Sequence, residues 1–142
     1  MWCGAAFSYR ASLSKIVAIS SRDAELDVLI DGIKGTLGFM IILHELGFDP
    51  DSAPVIRVDS TATIKGAESD SVSRETRYQG MRMAFVRKQV ESELVALEHV
   101  RTGANVADVF TKVLMSKAFQ KFRKAVMGHI DYRKIQLITY KK

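Results

Sequence analysis

The segment "NVADVFTK", Asn105 to Lys112, sets one acid, Asp108, among Val106, Ala107, Val109 and Phe110. Burying a carboxylate in such surroundings is costly unless a cation or hydrogen-bond donors meet it. Two readings are open. Asp108 points to water from the first turn of an amphipathic helix, as most acids do, or it holds a cation together with other acids. Two further acids are placed to share such a cation. Glu25 lies in the first turn of the first long helical segment, and Asp59 closes the short apolar run "VIRVD". Strand ends and helix starts are where an α/β fold assembles its sites. Three carboxylates from three distant elements would form a hard oxygen-ligand site for Mg²⁺ or Mn²⁺. Paired ions of this kind cleave phosphodiesters, one activating water and the other stabilising the leaving oxygen.

Other chemistries have less support. His44, His99 and His129 have no ligand spacing with one another or with Cys3 and read as surface or packing residues. There is no glycine-rich phosphate loop and no serine or cysteine nucleophile motif. Within the first helix, Asp23 and Asp27 are turned about 200° from Glu25 at 3.6 residues per turn, which sets them apart from any site that Glu25 joins.

The elements that must position these acids follow from hydrophobic period. "GAAFSYR" and "KIVAIS" read as short strands around the turn "ASLS". The run from Ser21 to Gly47 carries Leu26, Leu29, Ile30, Ile33, Leu37, Met40, Ile41 and Ile42 at helical spacing. Ser20 with Asp23 gives it an N-cap and Gly47 a C-cap, while Gly32, Gly35 and Gly38 weaken it or mark a close approach. "FDPDSAP" is a loop, "VIRVD" a strand, and the polar stretch through "KGAESDSVSRE" a loop of unassigned structure. "TRYQGMRMAFVRKQVE" reads as a helix with Tyr78, Met81, Phe85 and Val86 inward. "ELVALEHV" is a strand, "ANVADVFTKVL" a helix, and "SKAFQKFRKAVMG" a helix closed by Gly128. "DYRKIQLITYKK" is a weak strand or a loose tail. This alternation predicts an α/β fold with at least one parallel crossover.

Composition agrees with one domain of 142 residues, 47% hydrophobic and 26% charged. A single cysteine excludes an intrachain disulfide and suits a reducing, intracellular compartment. No apolar run is long enough to span a membrane, and the N-terminal twenty residues, interrupted by Arg10 and Lys15, make a poor signal peptide. The net charge of +5 is uneven. From Lys112 to Lys142 nine bases face one acid, Asp131, whereas the preceding 111 residues hold twelve bases and fifteen acids. A basic end on a mildly acidic body is read equally as a polyanion-binding surface or as a solvated tail.

Three ordered blocks resemble the C-terminal ribonuclease H domain of copia-type retrotransposon Pol polyproteins. "VAISSRDAELDVL" is similar to that family's "VALSSTEAEYIAL", and "IRVDSTATI" to its "CDNQSAI" segment. "FVRKQVESELVALEHVRTGANVADVFTKVL" is similar to its "FVRE…VPT…ADIFTKPL" ending. The resemblance covers roughly residues 4 to 128 and leaves 129 to 142 as a basic tail. It implies a ribonuclease H-like fold, a mixed sheet with flanking helices, and it carries the family's metal-binding acids onto Glu25, Asp59 and Asp108. Arg74, Arg77, Arg82, Arg87 and Lys88 become candidates for backbone contacts with an RNA–DNA hybrid, which is read through phosphates and 2′-hydroxyls.

Departures from the pattern shape the expected function. The first strand of the family's sheet, with a further essential aspartate, is expected to be missing. Ser60 replaces an asparagine, "RYQGMRMA" replaces "KHIDIRYH" with loss of two histidines and an aspartate, and Val113 replaces a proline. The chain therefore reads as a truncated, degenerate ribonuclease H-like domain, impaired in hybrid hydrolysis and retaining nucleic-acid binding, with Mg²⁺ or Mn²⁺ as cofactor if the site works. The alternative is a domesticated, non-enzymatic interaction protein, for example a secreted pathogen effector with a host protein target. The chain has no Arg-x-Leu-Arg translocation motif to support it.

Overall fold

The computed structural model describes residues 5–11, 21–68 and 77–130. The chain divides into two compact units, Ser14–His99 and a second formed by Met1–Leu13 with Val100–Lys142. Among the described residues it is mixed α/β, with four α-helices and a two-stranded parallel sheet.

In the first unit, α1 (Ser21–Glu45) leads into β1 (Val55–Val58), then α2 (Thr61–Glu68), α3 (Arg77–Glu91) and β2 (Ala96–His99). The strands pair in parallel, with Val55 opposite Ala96 and Val58 opposite His99. A parallel pair needs a crossover, and α2 and α3 lie between the two strands in the chain. Arg57 and Glu98, opposite one another, join the strands by an ion pair of 2.9 Å.

The core of this unit gathers Leu26, Leu29 and Ile33 of α1, Ala67 of α2, Val86 of α3, and Val95. Ile56, Val58, Met83, Val90 and Leu97 pack around it. The apolar stripe of α1 is the expected one over its first half. Near its end Leu43 is buried while Ile41 and Ile42 are exposed. Gly32, Gly35 and Gly38 mark no close approach among the described residues, where a Cβ added at any of them meets nothing within 4 Å.

Two expectations fail in this unit. The stretch after Asp59 begins as helix α2, not loop. Ser60 caps it, its Oγ accepting from the Thr63 amide at 3.3 Å and from the Thr63 hydroxyl at 3.0 Å, and this bonding lets Thr63 be buried. On α3 the inward face is not set by Met81, which is 67% exposed. Val86 and Phe85 face inward as expected, joined by Met83 and Val90, with Gln79 and Arg82 turned toward α1. The strand read over 15–20, Ser20 as a cap, Arg74, and the side chain of Tyr78 lie outside the described residues.

In the second unit the segment 5–11 is not a strand. Ala5 forms an isolated bridge, and the Ala6 amide donates to the Val126 carbonyl at 2.9 Å. The helix expected over 104–114 is instead two short 3-10 turns, Thr102–Ala104 and Val106–Phe110. The Asn105 side chain accepts from the Ala107 amide at 3.2 Å, an Asx-type bond that competes with a continuous α-helix. Helix α4 (Ser116–Val126) buries Phe122 and Ala125 against Val100, Ala104 and Val106. The segment 131–142, read as a strand or tail, lies outside the described residues.

Helices α1, α3 and α4 end in the same way. After α1, Gly47 (φ 80) donates to the His44 carbonyl at 2.9 Å and Phe48 to that of Leu43 at 2.8 Å. After α4, Gly128 (φ 74) and His129 donate to Ala125 and Lys124. Each pair is a Schellman closure, which satisfies carbonyls that the helix leaves open. After α3 the left-handed position is held by Glu93 (φ 54), with Leu94 donating to Gln89.

Candidate functional site

Glu25 and Asp59 belong to the first unit, Asp108 to the second. Asp59 follows the C-terminal end of β1 directly and is exposed. Ligand sites of parallel sheets form at such strand ends. Glu25 is also exposed, in the second turn of α1. Its neighbours Asp23 and Asp27 are engaged elsewhere. Asp23 is buried and accepts a hydrogen bond from Gln79 Nε2, and Asp27 is paired with Arg82. The helical offset thus separates one outward carboxylate from two that bind α1 to α3.

Asp108 does not point to water: it is only 5% exposed. It lies in the first turn of the Val106–Phe110 segment, where Val109 and Leu114 pack on the core of the second unit. Phe110 stacks on Tyr9 with ring centroids 5.0 Å apart. Val113, which stands where the resembling family has a proline, is fully exposed. The Asp108 carboxylate meets the Lys112 ammonium at 3.0 Å, and Lys112 is itself about half exposed. The (i, i+4) spacing of Asp108 and Lys112 is legible in the sequence and could have named this partner. Within neither unit do the described residues gather three or more His, Cys, Asp or Glu as a metal cluster.

Of the five cations expected to contact a hybrid, Arg74 and the side chain of Arg77 lie outside the described residues. Arg82 pairs with Asp27 of α1, and Arg87 donates to the Gly66 carbonyl at 3.4 Å. These two arginines tie α3 to its neighbours, because a half-buried guanidinium needs acceptors where it lies. Lys88 is exposed. The histidines take no part in a site: His44 contacts Asp49 at 2.6 Å on the surface, and His99 and His129 are exposed. The hydrogen bond that His44 donates to the Asp49 carboxylate, and then the charge of Asp49, raise the His44 pKa above the usual imidazole range.

The chain is 27% identical over 126 residues to the retrovirus-related Pol polyprotein from transposon TNT 1-94 of Nicotiana tabacum, a match covering 89% of this chain. It is 27% identical over 119 residues to the corresponding polyprotein from transposon RE2 of Arabidopsis thaliana, and 28% identical over 115 residues to that from RE1 of the same plant. These two matches cover 84% and 81% of the chain. The matched segments make up 9%, 8% and 8% of those proteins. No family model matches the chain, and no solved structure does. The chain is thus similar to one segment of plant transposon Pol polyproteins and spans less than a tenth of their length. No helix among the described residues is long and apolar enough to cross a membrane.

Proposed function

We propose that the chain is a ribonuclease H-like unit of copia-type Pol, in which Glu25, Asp59 and Asp108 form the carboxylate set for Mg²⁺ or Mn²⁺. One observation carries the reading: similarity to plant transposon Pol polyproteins runs across most of the chain and includes the three blocks that contain these acids. The donor set suits the ions, since all three are hard oxygen ligands. When bound, such ions activate water and stabilise the leaving oxygen at a phosphodiester. The chain's own part is to hold the carboxylates. Asp59 is fixed by the end of a paired strand and by the Ser60 cap that starts α2. Asp108 is fixed by the packed 3-10 segment around it. Glu25 projects from α1, whose neighbouring acids are bonded to α3. The nucleic acid is an RNA–DNA hybrid held through its phosphates, with Lys88 as a contact on α3.

Departures from the family pattern fall on residues with structural work. Ser60 caps a helix, and the segment 77–84 supplies Gln79 and Arg82 to Asp23 and Asp27. Two-metal hydrolysis needs enough carboxylate to hold both cations against their mutual repulsion, and these 142 residues supply three candidates. The chain by itself therefore binds a hybrid and cleaves it slowly or not at all. The test is a hybrid-cleavage assay in Mg²⁺ and in Mn²⁺ with Asp59→Asn as control. Trace cleavage lost in Asp59→Asn, or no cleavage with hybrid still bound, is the expected result. Failure to bind hybrid, or cleavage indifferent to Asp59→Asn, contradicts the reading.

A further inference from the structure

Helix α4 carries four cations, Lys117, Lys121, Arg123 and Lys124, and no acid. At 3.6 residues per turn, Lys117, Lys121 and Lys124 share one face within an arc of about 60°. Lys117, Arg123 and Lys124 are exposed and Lys121 is half-buried beside the Phe122 ring. The adjoining side of the helix, with Phe122 and Ala125, is already spent on the core of the second unit, packed with Val100, Ala104 and Val106. A basic amphipathic helix that lies in a membrane surface needs its apolar face free for lipid. Here Phe122 and Ala125 are occupied and Phe119 is the one large apolar side chain of α4 left exposed, beside four cations, a balance that favours an extended polyanion over a bilayer.

We infer that the Lys117–Lys121–Lys124 face of α4 is a phosphate-backbone contact surface for nucleic acid, distinct from the cations of α3. The row spans about 10 Å along the helix axis, matching about three nucleotides of one strand at 3.4 Å each. The contact is independent of sequence, because ammonium groups neutralise phosphates without reading base edges. The inference rests on the nucleic-acid binding proposed above and assigns it a second surface, in the second unit.

The test uses the full chain and a fluorescein-labelled 20-base-pair RNA–DNA hybrid, followed by anisotropy across a salt series. Lys117→Gln/Lys124→Gln is compared with Lys34→Gln/Lys65→Gln, which removes the same charge from exposed positions of the first unit. Both lysines of the first pair are exposed, and unchanged circular-dichroism melts confirm that the fold is kept. The α4 pair is expected to weaken binding roughly tenfold or more at 0.1 M salt and to lower the salt slope by about 1.8, at 0.9 per phosphate contact. The control pair is expected to change the slope little. Equal effects of the two pairs, or no effect of the α4 pair while the parent binds, overturn the inference and leave the proposed function standing. A parent chain that binds no hybrid overturns both. Vesicles of phosphatidylserine form a further arm: loss of vesicle binding in the α4 pair with hybrid binding unchanged assigns the face to lipid and overturns the inference.

Discussion

Asp108 shows what a single residue's surroundings decide. An acid among apolar neighbours is cheap on a surface and costly inside, and here it is inside with Lys112 as its cation. The partner sits one turn on and is half exposed, while the carboxylate itself is buried. A contrasting pair, His44 and Asp49, lies fully on the surface at the end of α1. The raised His44 pKa sets its pH dependence. Its contribution to stability is fully present below the unfolded imidazole pKa of about 6.5 and is lost as pH rises through the folded value. In a low-salt NMR titration His44 should titrate above its unfolded value, and Asp49→Asn should bring it back. A His44 pKa indifferent to Asp49→Asn would show that the contact does not persist in water. The effect should shrink in salt, because both groups are exposed.

At the level of elements, helix closure gives the sharpest expectation. Gly47 and Gly128 occupy left-handed positions that glycine takes without strain, whereas Glu93 holds the same position after α3 with a Cβ to accommodate. Glu93→Gly should therefore stabilise the chain by up to about 1 kcal/mol. Gly128→Ala should cost about 1–2 kcal/mol, and more if Ala5 cannot yield, since the added Cβ would lie 3.0 Å from the Ala5 Cβ. Urea unfolding of the two variants checks both signs, and a destabilised Glu93→Gly would mean that the Glu93 side chain earns its place by contacts. The elements most legible in the sequence were α1 and α4, each closed by a glycine, and the short paired strands. Helix α2 was hidden because its cap and first turn, Ser60 to Thr63, are polar residues that equally suit a loop. On the inward face of α3, Phe85 and Val86 were legible but Met81 was mistaken for Met83, because the two offer alternative apolar registers. The choice between them is made by Asp23 and Asp27 of α1 reaching Gln79 and Arg82, a long-range pairing that no local period reveals. The 3-10 geometry around Asp108 was likewise out of reach, because Asn105 competes for the backbone of a segment whose composition is helical.

For the whole molecule, the candidate site was legible as residue identities and not as geometry. Glu25, Asp59 and Asp108 stand out by their positions and by the motifs around them, yet they belong to two separately compact units. Whether these three carboxylates meet around one set of ions is read directly by a paramagnetic ion. Mn²⁺ at a small fraction of the protein concentration broadens amide signals near its binding site. The account predicts that signals around Glu25, Asp59 and Asp108 broaden together with one titration midpoint, and that Asp59→Asn weakens the broadening at all three. Broadening at one segment alone, separate midpoints, or three segments left sharp while another part of the chain responds would contradict it.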